Sequence, residues 1–140
     1  MEIEIVKKSN IGFSPEIGDM THELLSRLSE KVDSEGIDVL KKETVDILSK
    51  CTDPNKRECQ SVTNLVVGYV QSGKTMSFTT LSALAHDNGF RVIIYFAGTK
   101  NNLLSQTTKR LRKDLINGNV NSKHYKLFEN PTKNDSQRIR

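Results

Sequence analysis

The segment Gly68-Tyr69-Val70-Gln71-Ser72-Gly73-Lys74-Thr75 spells G-x-x-x-x-G-K-T, and no other stretch constrains this chain as tightly. Each fixed position has a physical task. Gly68 and Gly73 permit backbone angles and close approaches that a β-carbon would block. The N–H groups of Val70, Gln71, Ser72, Gly73, Lys74 and Thr75 can then turn inward as an anion-binding nest, reinforced by the positive end of a following helix. Lys74 supplies a point charge for β- and γ-phosphates and is the candidate catalytic residue; the Thr75 hydroxyl is the candidate Mg²⁺ ligand. From average residue usage, a chance match in a chain of this length is roughly a one-in-two-hundred event.

Such a loop requires a strand before it and a helix after it. Asn64-Leu65-Val66-Val67, preceded by Val62 and Thr63, is a short apolar run that suits a buried parallel strand. After the loop, Met76, Thr79, Leu81, Leu84 and Ala85 recur at near-helical spacing up to Asn88. Gly89 then reads as a left-handed C-terminal cap. Arg91-Val92-Ile93-Ile94-Tyr95-Phe96 is β-branched and aromatic, so it reads as a second buried strand. Strand, loop, helix and strand make one βαβ unit. The expectation is an α/β fold with parallel strands and flanking helices.

The first 60 residues read as a helical segment preceding a domain over residues 61–140. Glu2 to Val6 alternates like a short strand. Met20, Leu24, Leu25, Leu28 and Val32 then fall on one helical face, with Asp19 as its cap. Ser34-Glu35-Gly36 reads as a break. A second helix follows through Ile37, Leu40, Thr44, Ile47 and Leu48, closed by Asp53-Pro54. Two amphipathic helices cannot bury both faces on each other alone, so they are expected to pack on the rest of the fold. No apolar run approaches the ~20 residues of a membrane span, and Met1-Glu2-Ile3-Glu4 is not a signal peptide. A soluble cytoplasmic protein with no membrane partner is expected. Cys51 and Cys59 have no companion ligands at zinc-site spacing and read as reduced thiols.

Charge is unevenly distributed. Residues 1–99 hold 11 Lys and Arg against 14 Asp and Glu, a net −3, whereas residues 100–140 hold 10 against 3, a net +7. Beyond the second apolar run, Leu103, Leu104, Thr107, Thr108, Leu111 and Leu115 mark a helix that ends at Asn117-Gly118-Asn119. Its other face carries Lys109, Arg110, Arg112 and Lys113. That basic stripe suits contacts to a nucleic-acid backbone. Cations near a helix C-terminus are also favoured by the helix dipole alone, so both explanations stand. Tyr125 to Phe128 reads as a strand fragment and Pro131 to Arg140 as a frayed tail.

Hydrolysis would need a second acidic motif, an apolar run ending in Asp or Asp-Glu, to hold the metal and place the attacking water. None follows Thr75: Asp87 and Asp114 follow helical stretches, and Asp135 lies in the polar tail. The chain is therefore expected to be the amino-terminal piece of a longer enzyme and inactive alone.

The loop ending in Ser72-Gly73-Lys74-Thr75, followed by Gly98-Thr99-Lys100 and by Leu103-x-x-Gln106 with Leu111, resembles the first RecA-like lobe of superfamily 2 helicases and translocases. A closer likeness is to the bacterial Z-one domain proteins. It is carried by Leu65 through Thr75, with the Val70-to-Thr75 core as its specific part, and by Ile93 through Thr107. It extends over roughly residues 40–115, and Gln71 departs from most helicases, where a small residue is common. The resemblance implies a partial RecA-like lobe, ATP with Mg²⁺ as ligands, and nucleic-acid contacts at Thr99, Lys100 and Asn101. It also implies DNA ahead of RNA as partner, together with the remainder of a parent ATPase linked to restriction, repair or anti-phage defence. Two alternatives stay open: a small-molecule phosphotransferase built on the same loop, and a nucleotide-switched interaction module.

Overall fold

Apolar positions at helical spacing produce helices where the sequence places them. In the computed structural model, which describes residues 12–56, 61–67, 74–97, 101–117 and 125–139, α1 runs Asp19–Leu28 and α2 Ser34–Ser49. Helix α3 runs Lys74–Asp87 and α4 Asn101–Leu111. Helix α4 passes into a π-helical turn at Arg112–Asn117, and a short 3₁₀ turn forms at Lys133–Asp135. The chain divides between Ile93 and Ile94 into two units.

The first unit is organised around α3. Thr79, Thr80, Ser82, Ala83, Leu84 and Ala85 are all buried, so α3 is covered on most of its circumference. Small side chains let two helices approach it closely, and both α1 and α2 pack on it. Met20, Leu24, Leu25 and Leu28 are the buried stripe of α1; Leu40, Thr44 and Leu48 are that of α2. Leu48, Leu84 and Ala85 form a core cluster, with Phe13, Ile17, Val45, Leu81 and Phe90 packed around it. The buried hydroxyls of Thr44, Thr79 and Ser82 are satisfied within their own helices by the carbonyls of Leu40, Met76 and Phe78.

Helix ends are defined by side chains. Asp33 caps α2 by accepting from Gly36 N–H at 2.8 Å. The expected break at Ser34-Glu35-Gly36 is therefore the first turn of α2, and the real interruption lies between Leu28 and Asp33. At the other end of α3, Gly89 adopts φ 95°, its N–H reaching His86 O at 3.0 Å. Phe90 N–H reaches Ala85 O at 3.0 Å, completing a Schellman cap with Phe90 folded onto the core.

No sheet forms among the described residues. The expected α/β, RecA-like lobe is corrected by a helical architecture with no strand among the described residues. Leu65 and Val67 are 89% and 84% exposed, Val92 and Ile94 are also exposed, and Phe96 is 95% exposed. Tyr125 to Phe128, expected as a strand fragment, is not a strand either. The reason is physical. β-Branched runs favour a pleated surface only when neighbouring strands supply ladder bonds and cross-strand pairs, and none is present among the described residues. The apolar surface of α3, expected to cover a sheet, is taken by α1 and α2. The strand reading of Glu2 to Val6 lies outside the described residues.

The second unit is built on α4, where Thr108, Leu111 and Leu115 are buried and Leu104 is half-buried. Leu103, expected on the apolar face, is exposed. The polar tail is not wholly irregular: Thr132 and Asp135 close a capping box around the 3₁₀ turn. No helix among the described residues is long and apolar enough to cross a membrane.

Candidate functional site

The candidate phosphate loop enters α3 at its first residue. Lys74 and Thr75 make the first turn of α3, while Gly68, Val70, Gln71, Ser72 and Gly73 lie outside the described residues. The helix half of the context that such a loop requires is present; the strand half is not. A second property of α3 bears on anions. Its first turn carries no acidic residue, whereas α1 has Asp19 there and α2 has Glu35. The partial positive charge that the helix dipole places at the start of α3 is thus not offset by a carboxylate of that turn.

The opposite end of α3 is structural. Both carboxylate oxygens of Asp87 are engaged by the start of α1: Oδ2 accepts from Gly18 N–H at 3.1 Å, Thr21 N–H at 2.9 Å and Thr21 Oγ1 at 2.6 Å. Oδ1 accepts from Met20 N–H at 3.2 Å. Asp87 is therefore the N-terminal cap of α1, supplied from another helix, and the expected cap Asp19 is only the first helical residue. A β-carbon on Gly18 would stand 2.8 Å from Asp87 Cγ, so glycine at this position lets the carboxylate in. Asn88 reinforces the junction: its side chain accepts from Glu16 N–H and donates to Glu16 O, each at 2.9 Å.

The candidate nucleic-acid residues fall into three groups. Thr99 and Lys100 lie outside the described residues. Asn101, Lys109 and Arg112 come together on one stripe of α4 and its π turn, lining a groove of about 420 Å³ with Leu104, Ser105 and Thr108. Arg110 and Lys113 are exposed on the same helical segment but do not line the groove. Across the groove stands Glu129, whose Oε1 lies 3.4 Å from Arg112 Nη2. The first turn of α4, like that of α3, contains no acid. The π-helical register that carries Arg112 and Lys113 is uncommon and recurs at functional sites in proteins generally.

Sequence reasoning missed Asp87, Asn88 and Glu129. Asp87 and Asn88 had a local signal, an Asp-Asn-Gly helix end, but their partners lie 66 to 72 residues away. Glu129 had none beyond being one of three acids in a basic region. No protein-family model, curated protein or solved structure matches the chain.

Proposed function

We propose that this chain supplies the ATP-binding segment of a nucleic-acid-dependent ATPase of helicase or translocase type. The observation that carries the reading is the G-x-x-x-x-G-K-T segment running directly into α3, a fourteen-residue helix whose first turn begins at Lys74 and holds no acid. Residues Gly68 and Val70 to Thr75 would cradle the phosphates, with Lys74 as their cation and Thr75 as the Mg²⁺ ligand. The bound metal would neutralise charge on the phosphate oxygens. The basic stripe of α4 would follow a nucleic-acid backbone, with DNA as the first candidate. The alternative of a nucleotide-switched interaction module, in which α1 and α2 would dock a partner, loses ground because their apolar faces are already covered by α3.

The test is thermal unfolding of the 140-residue chain with and without Mg-ATP, beside Lys74→Ala. Ligand at a hundredfold its dissociation constant stabilises a fold by about 2.7 kcal/mol, a shift of several degrees. The expected result is a shift in the parent that disappears in Lys74→Ala. An unshifted parent that still unfolds cooperatively overturns nucleotide binding by this chain.

A further inference from the structure

We propose that Glu129 occupies, in the unliganded chain, a groove on α4 built to take a phosphodiester, and that nucleic acid binds by displacing it from Arg112. The proposal rests on the nucleic-acid part of the reading above and adds to it a built-in competitor.

Three observations converge. First, the groove is a helical stripe. Asn101, Leu104, Ser105, Thr108, Lys109 and Arg112 recur at intervals of three and four residues, so they face one side of α4 and its π turn. Its polar lining on the helix comprises an amide, two hydroxyls, an ammonium and a guanidinium. All of these can donate hydrogen bonds, and none carries negative charge. At about 420 Å³ the groove falls within the ~300–1,000 Å³ of small-ligand sites and has room for a nucleotide unit.

Second, the acid in this lining comes from elsewhere. Glu129 lies 17 residues beyond Arg112 and approaches from the following segment. Asn130 follows it with φ 46°, a left-handed turn that asparagine tolerates, directly before Pro131. The backbone thus bends sharply just after Glu129. A carboxylate presents two oxygens to a guanidinium much as a phosphodiester does, so Glu129 stands where a backbone phosphate would be held.

Third, the contact is easily broken. Arg112 and Glu129 are 51% and 44% exposed at the side chain, and the single N···O distance of 3.4 Å is long for a charge-assisted bond. Exposed ion pairs of this kind contribute little, whereas a polyanion engages Lys109, Arg110 and Lys113 as well as Arg112. The competitor sets a threshold: short or weakly charged anions do not displace it, and a continuous phosphate backbone does.

The experiment is fluorescence anisotropy of a labelled short oligothymidylate with the full chain at low salt. Five proteins are compared: wild type, Glu129→Gln, Arg112→Gln, the double variant and Lys113→Gln. Glu129→Gln is expected to bind about three- to fivefold more tightly. That gain is expected to vanish when Arg112 is also replaced, because the competitor then has nothing to release. Wild-type binding that is weakened by Lys113→Gln but untouched by Glu129→Gln sinks the proposal and leaves the nucleic-acid reading standing. A gain that persists undiminished in the Arg112→Gln background also sinks it, since Glu129 would then act only through net charge. An equal gain for labelled polyglutamate overturns the assignment to phosphodiesters. Absence of oligothymidylate binding by both wild type and Glu129→Gln overturns this proposal and the nucleic-acid reading together.

Discussion

Asp87 accepts four hydrogen bonds from Gly18 and the first turn of α1, one of them from a hydroxyl at 2.6 Å. Replacing an N-terminal cap costs about 1 kcal/mol in typical cases, and hydrogen bonds to a charged acceptor are worth more than neutral ones. Asp87→Ala is therefore expected to lose about 2–3 kcal/mol in urea-induced unfolding. Asp87→Asn should keep part of that, because one oxygen still accepts. Asp135 offers a second test at the same scale. Its carboxyl is held below the ordinary aspartate range chiefly by the Thr132 backbone N–H, then by the Thr132 hydroxyl, with Arg138 adding to the effect. A lowered value in the folded chain means that the capping box is fully favoured above the ordinary aspartate range and is lost as pH falls through the lowered value. The Thr132 amide resonance should therefore shift only at pH below that range. A midpoint at or above the ordinary value would contradict the capping role.

At the scale of elements, the end of α3 shows what a sequence can announce. Gly89 was legible as a left-handed cap because no other residue type takes φ 95° so cheaply, and it closes a Schellman cap. Gly89→Ala should cost about 1–2 kcal/mol, read as a lower thermal midpoint. A midpoint equal to the parent's would show that this turn relaxes without penalty. The four helices were legible for a similar reason: a 3.6-residue period in Met20 to Leu28, or in Leu40 to Leu48, is a property of the segment alone. Strands are different. Val66, Val67, Val92 and Ile94 state a preference, but a strand exists only through a neighbour that the segment does not contain. Ser34-Glu35-Gly36 misled for the reverse reason: poor helix formers such as Ser34 and Gly36 are tolerated in a first turn when Asp33 takes up Gly36 N–H. At the candidate site, the loop motif and the basic stripe were visible, whereas Glu129 became visible only through its position beside Arg112.

For the whole molecule, charge is the property that scales furthest. The +7 carried by residues 100–140 is set against −3 over residues 1–99, so attraction to a polyanion is concentrated in the last third of the sequence. If Lys109, Arg110, Arg112 and Lys113 each neutralise one phosphate, the logarithm of affinity for a single strand should fall against the logarithm of salt with a slope of about −3. A slope near zero would show that any binding proceeds without those cations. The Asp87 junction has a consequence of another kind, in time. During synthesis α1 leaves the ribosome long before its capping carboxylate, which lies up to 69 residues further along the chain. At ~5–20 residues per second, that separation is a delay of several seconds. Throughout it, the first helix has neither its cap nor the α3 surface on which it packs. Helix α1 thus settles only after α3 has followed it, and the interval exposes an apolar stripe that chaperones or proteases can reach.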